Sequence, residues 1–128
     1  MPHRTRRWAV VGILGASALG FGALAVTATA AKTTTLKLSA DPSGAFKFNV
    51  TKLTVSKPGK VTLTMKNPSP IAHDIAVKGK GIKTTVGKKV NKGGTSTITV
   101  NLKKGTYTFY CSVDGHAAAG MKGTLVVK

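Results

Sequence analysis

A chain of 128 residues has room for one domain and an extension, not for two domains. Lys and Arg number 20 against 3 Asp and Glu, a formal charge of +17, and all three arginines (Arg4, Arg6, Arg7) sit in the first seven residues. Residues 32–128 therefore carry 17 lysines and 3 aspartates, 17 − 3 = +14, with no arginine. Readers of nucleic acid lean on the guanidinium fork for phosphates and guanine edges, so this composition argues against nucleic acid as a partner. The lysines read first as a solubilising surface, and second as an attraction for acidic partners or an anionic cell surface.

The extension comes first. Arg4, Arg6 and Arg7 open it, an uncharged run follows from Trp8 to Val26, and Ala28-Thr29-Ala30 closes it with a small-x-small pattern. A basic start, an apolar middle and a small-residue exit describe an export signal over residues 1–31, which places the mature domain in the periplasm or outside the cell. A retained membrane anchor is the competing reading, because the uncharged run is nearly long enough to span a bilayer. Its many Ala and Gly residues make it only weakly hydrophobic, which favours cleavage. Thr5-Arg6-Arg7 is similar to the start of a twin-arginine signal, but the usual Phe-Leu after it is missing, so the export route stays open.

From residue 32 the pattern has period two. Val61, Leu63 and Met65 alternate with Thr62, Thr64 and Lys66, and Ile98, Val100 and Leu102 alternate with Thr97, Thr99 and Asn101. Tyr107 and Phe109 alternate with Thr106, Thr108 and Tyr110, and no segment shows a helical stripe. Turn signals separate the runs, among them Asp41-Pro-Ser-Gly44, Asn67-Pro-Ser-Pro70, Asn91-Lys-Gly-Gly94 and Asp114-Gly115. About eight short strands result, near residues 35–40, 46–50, 52–56, 60–66, 71–77, 82–86, 95–102 and 105–111, with a last one at 122–127. The fold class expected of residues 32–128 is all-β, a sandwich or barrel.

Between the last two strands lies Cys111-Ser-Val-Asp-Gly-His116-Ala-Ala-Ala-Gly-Met121, holding the only cysteine of the chain. One cysteine cannot form an internal disulfide, and a lone thiol in an oxidising compartment is a liability unless it is buried or ligated. One thiolate, two imidazoles and a weak axial thioether are the donors of a type 1 copper site. The soft thiolate couples strongly to copper, imidazoles suit both Cu(I) and Cu(II), and a weak axial donor favours neither state. Of the three histidines, His3 lies in the extension, so His73 is the sole candidate for the fourth ligand. Taken alone, His73 reads equally well as an ordinary strand histidine, and Met121 as a core residue opening the last strand. Met65, beside Val61 and Leu63, reads as core. Together His73, Cys111, His116 and Met121 match the demand for ligands with none left over.

The stretch from Cys111 to Val127 resembles the copper-binding loop of the cupredoxins, the plastocyanin/azurin superfamily. The four-residue gaps on either side of His116 look most like auracyanin and sulfocyanin loops. Leu53 to Asn67, followed by His73-Asp74, is similar to the N-terminal ligand region of that family. The resemblance covers roughly residues 45–128. It implies a Greek-key sandwich with His73, Cys111, His116 and Met121 as copper ligands. It also implies a flat docking patch of small apolar residues, here Ala117, Ala118, Ala119 and Gly120 with Pro68, Pro70 and Ile71 opposite. The alternative is that Ala and Gly are simply what a tight loop accommodates. One departure stands out: Asp114 occupies a place where such relatives often carry Pro, putting a carboxylate near the site. The function expected is single-electron transfer between redox partners with acidic docking faces, by a monomer holding one copper. Copper buffering or delivery is the alternative, although the chain has no exposed Met- and His-rich cluster of the kind chaperones use. Catalysis by a copper oxidase or reductase would need further histidines, and none remain outside the extension.

Overall fold

The computed structural model describes residues 20, 22–25, 27 and 32–128. The export signal expected over residues 1–31 thus falls almost wholly outside the described residues. Eight strands follow in chain order: β1 (Thr34–Ser39), β2 (Lys52–Val55), β3 (Gly59–Lys66), β4 (Ala76–Lys78), β5 (Thr85–Val86), β6 (Thr95–Leu102), β7 (Gly105–Tyr110) and β8 (Lys122–Val127). They form two sheets, one in the order β1-β3-β6 and one in the order β2-β8-β7-β4-β5. The pairs β1/β3 and β2/β8 run parallel, and the other neighbours run antiparallel. The chain crosses between the two sheets repeatedly, giving the all-β Greek-key sandwich that the sequence pattern and resemblance led us to expect.

The alternation decides which face each strand buries. Along β6 exposed and buried residues alternate strictly, with Ser96, Ile98, Val100 and Leu102 inward. Val61, Leu63 and Met65 of β3 lie opposite Val100, Ile98 and Ser96, and all three are fully buried. From the other sheet Val77, Tyr107, Phe109, Leu125 and Val127 complete the same core. Each such side chain removed from water is worth roughly 1.5–3 kcal/mol, the main term holding two sheets face to face. The corner between β6 and β7 takes only Lys103 and Lys104, and Tyr107 Oη donates to the Lys103 carbonyl at 2.8 Å. That bond ties the first core residue of β7 to the turn before it.

Three expected strands differ. Residues 46–50 do not form one: Phe48 makes a single bridge pair with Ala40, and the rest of the segment is irregular. Phe46 and Phe48 mimic a strand in their spacing, but they serve different surfaces. Phe48 enters the core against Phe109, ring centroids 5.7 Å apart, whereas Phe46 turns out over His116. The strand expected at 71–77 shrinks to β4, because Asn67 and Val90 hold the chain before it in a loop; the expected 82–86 shrinks to the two residues of β5.

Candidate metal centre

The end of the sandwich where β7 leads into β8 gathers nearly all the buried polar side chains. Asn67, Ser69, His73, Asp74 and His116 are all buried there, and Ser96 is the one other buried polar residue described. Burial of so many polar groups is unfavourable unless each is partnered, and each has a partner.

His73 is placed by a loop that Asn67 organises. The Asn67 amide donates to the carbonyls of Ile71 and Val90 at 2.9 and 2.8 Å, and its oxygen accepts from the Ser69 N–H at 3.0 Å. Between Pro68 and Pro70, Ser69 therefore points inward, and its Oγ accepts from the Ile71 N–H at 3.1 Å. The backbone of His73 pairs in both directions with Val90. Its ring sets Nε2 3.2 Å from Ser69 Oγ, leaving Nδ1 to face the site. When the Nε2–H donates to Ser69, Nδ1 carries the lone pair a metal needs.

The other donors come from one loop that is closed on itself. Cys111 ends β7. Its N–H donates to the Met121 carbonyl at 3.0 Å, and the Met121 N–H donates to the His116 carbonyl, also at 3.0 Å. The backbone of Met121 thus clasps the two loop residues of interest. Gly115 turns the loop with φ of 77°, in the left-handed region that glycine enters without strain. Close approach matters at Gly123 too, where an added Cβ would fall 2.2 Å from Phe109 Cζ and 2.6 Å from the Thr51 carbonyl.

The donor atoms of His73, Cys111 and His116 all lie within 4.8 Å of one another. His73 Nδ1 is 3.1 Å from His116 Nδ1, and Cys111 Sγ is 3.5 Å from His116 Nδ1 and 3.8 Å from His73 Nδ1. Two ring nitrogens at 3.1 Å repel unless a cation or a shared proton lies between them. Met121 is fully buried in the cluster that includes Cys111. Two imidazoles and a thiol, with no carboxylate among the converging atoms, suit a borderline-soft ion such as copper rather than Mg or Ca. Burial, with the neighbouring His116 adding to it, holds the His73 imidazolium below the ordinary histidine range, while Asp74 works the other way. Burial likewise pushes the Cys111 thiol up, opposed by the backbone N–H groups of Asp74 and Val113. Both shifts favour neutral groups in the metal-free protein, so His73 is ready to ligate and the thiol must release its proton to a metal.

The family of copper binding proteins described as the plastocyanin/azurin family matches residues 34–128. The chain belongs to this family. Copper is the cofactor of this cupredoxin, and the donor set just described fits it. Among solved structures it is similar to dithionite-reduced auracyanin from Roseiflexus castenholzii, with 27% identity, 74% of this chain and 97% of that chain covered, and a TM-score of 0.63. Auracyanin A, a "blue" copper protein from Chloroflexus aurantiacus, matches with 26% identity, 76% and 100% coverage and a TM-score of 0.63. A copper-containing nitrite reductase from Thermus scotoductus shares the fold at 20% identity and a TM-score of 0.60, over 76% of this chain and 28% of that one. None of the curated proteins matches the cupredoxin in sequence.

The four residues singled out in the sequence are all buried at this end, and three of them converge through their donor atoms. Sequence reasoning missed Phe46, Ser69 and Asp74. Phe46 stacks on His116 with ring centroids 4.4 Å apart and planes 27° from parallel. Its loop lies against the neighbouring one, for a Cβ on Gly44 would sit 3.4 Å from Pro70 Cγ. Asp114, the carboxylate flagged in the sequence, is exposed in its turn; the buried carboxylate is Asp74.

Proposed function

We propose that His73, Cys111, His116 and Met121 hold one copper ion, and that this cupredoxin is an exported, monomeric carrier of single electrons between protein partners. The observation that carries the reading is the convergence of His73, Cys111 and His116 within 4.8 Å, buried, from two segments far apart in the chain. Bound copper would supply one-electron cycling between Cu(II) and Cu(I). The protein's part is to keep the ligand geometry fixed while the charge changes. Ser69 holds the His73 ring, the Met121 backbone closes the loop, and the Asp74 N–H, 3.5 Å from Cys111 Sγ, steadies the thiolate. His116 is the ligand nearest the surface, 8% exposed, and the half-exposed Phe46 ring covers one of its faces.

Around it Phe46, Pro70, Ile71, Ala118, Ala119 and Gly120 are exposed and uncharged. No lysine falls between Lys66 and Lys78 or between Lys104 and Lys122. An apolar face inside a lysine-rich surface suits close contact by a partner whose acidic residues ring its own docking face. Catalysis is not part of the reading, since His3 is the one histidine left over.

The test is the copper-loaded full chain. One equivalent should give an intense visible thiolate-to-copper band, and Cys111→Ser should lose the band while the metal-free variant keeps its β-sheet circular dichroism. A colourless wild-type copper complex would refute the ligand assignment. A coloured protein that exchanges no electrons with any small-molecule or protein donor would favour copper buffering.

A further inference from the structure

Asp74 is 4% exposed, yet it has no cationic partner: among the described residues the one ion pair joins Lys47 and Asp41. Asp114 is also without an ion pair, but it is exposed to water, whereas Asp74 is both unpaired and buried. Its carboxylate is instead held by Ser112 alone. The Ser112 N–H donates to Oδ1 at 2.6 Å, and the Ser112 hydroxyl donates to Oδ2. The side chain accepts on both oxygens, which is what an ionised carboxylate does. Ser112 follows Cys111 directly, and the Asp74 N–H points at Cys111 Sγ from 3.5 Å. One residue therefore grips the thiol-bearing segment with its backbone and with its side chain. As an ionised carboxylate the side chain brings a negative charge that has no ion-pair partner among the described residues.

We propose that the uncompensated charge of Asp74 sets the reduction potential of the copper centre low, by favouring Cu(II) over Cu(I). The inference rests on the copper-holding role assigned above. The charge count explains the direction. Cu(II), one thiolate and Asp74 sum to zero, a neutral buried centre. Adding an electron leaves a net charge of −1 in a poorly solvated place, with a carboxylate one residue from the thiolate. At an effective dielectric near 20, a unit charge this close biases the oxidised-to-reduced ratio by about an order of magnitude or more. Asp114, in its exposed turn, is screened by water and salt and has no comparable leverage.

Asp74→Asn separates charge from grip. The amide oxygen still accepts from the Ser112 N–H, and the serine hydroxyl can rotate to accept from the amide nitrogen. In the copper-loaded full chain, Asp74→Asn is expected to raise the ratio of reduced to oxidised protein at a fixed applied potential about tenfold or more. That corresponds to a rise of about 59 mV for a one-electron couple. The visible band should stay in place, because the thiolate keeps its surroundings. Asp74→Ala should raise the ratio as well and also move the band. Ser112→Ala provides a second variant that leaves the charge intact; with one compensating donor gone, it should shift the ratio in the opposite direction. In the metal-free chain, Asp74→Ala should speed hydrogen exchange at the Ser112 amide, a readout that stands even if copper is never bound. An Asp74→Asn protein whose ratio stays within threefold of wild type, or falls, overturns the proposal. Absence of copper colour in the wild type would instead sink the ligand assignment and leave the exchange result intact.

Discussion

Removing the Ser69 hydroxyl should weaken copper binding without dismantling the sandwich. Ser69 is fully buried, and Ser69→Ala leaves two N–H groups short of their acceptor: the Ile71 amide at 3.1 Å and His73 Nε2 at 3.2 Å. An orphaned buried donor costs about 1–3 kcal/mol. Ile71 is 36% exposed, so its amide has access to water and recovers most of that loss. The His73 ring is fully buried and recovers little. Its share should appear chiefly in the metal-bound state, because ligation at Nδ1 fixes the proton on Nε2. Losing such an outer partner of a ligand histidine typically weakens metal affinity by 10–100-fold, about 1.4–2.8 kcal/mol, which agrees with the orphaned-donor figure. The assay is competition for copper against a chelator of known affinity, run beside thermal melts of the metal-free protein. Thr99→Ala, which breaks the exposed hydroxyl pair between Thr62 and Thr99, is the control and should change affinity by less than a factor of about two. A Ser69→Ala protein that binds copper within about twofold of wild type, folded and monodisperse, would refute the reasoning that this hydroxyl fixes the ring.

Other perturbations report on different parts of the molecule. Gly123→Ala forces a Cβ to within 2.2 Å of Phe109 Cζ, whose ring is fully buried, so a loss of about 1–3 kcal/mol is expected. Each kcal/mol should lower the melting temperature by about 4–8 °C, and an unchanged melt would mean the strand shifts freely. The metal-free domain should also lose stability on mild acidification. His73 in the folded state lies below 6.5, so the unfolded chain takes up the proton first. The contribution is complete above about pH 6.5 and is lost as pH falls from there through the depressed folded value. Denaturant midpoints from about pH 7.5 to about pH 5 should therefore decline, and a flat series would contradict the burial of a neutral ring. Finally, electron exchange with an acidic partner should slow steeply between about 10 and 100 mM salt, as the screening length falls from about 30 to about 10 Å. Stopped-flow reduction that is flat in salt would leave the lysines as a solubility device only.

Where side-chain alternation alone decides the fold, the sequence was easy to read. β3, β6, β7 and β8 bury every second residue against the opposite sheet, and period two is visible in Val61-Thr-Leu-Thr-Met65 and in Ser96 to Leu102. β4 and β5 are too short to show a period. Residues 46–50 carry a false one, because Phe46 and Phe48 are drawn to surfaces on different sides of the chain. The same contrast runs through the site. Cys111, His116 and Met121 sit on one loop, so their spacing is visible along the chain. Ser69 and Asp74 act across segments, and no linear pattern says that Asp74 will meet Ser112, 38 residues away. A usable signal was present for Ser69: a serine between two prolines after an asparagine is strong turn chemistry, and turns fix side-chain direction. It predicted the loop, not the imidazole behind it.

The closed loop has a further consequence for the lifetime of the protein. Copper held as proposed would add a further tie between the segment around His73 and the loop that ends at Met121, beside the bonds of Asp74 to Ser112 and Cys111. The ion is then a removable cross-link. At a free copper concentration 1,000 times the dissociation constant, binding to the folded state alone would add about 4.1 kcal/mol to its stability. A newly made chain would lack that tie, and would become harder for proteases to open when it acquires its metal. Copper supply would then govern how long the carrier survives as well as whether it can carry.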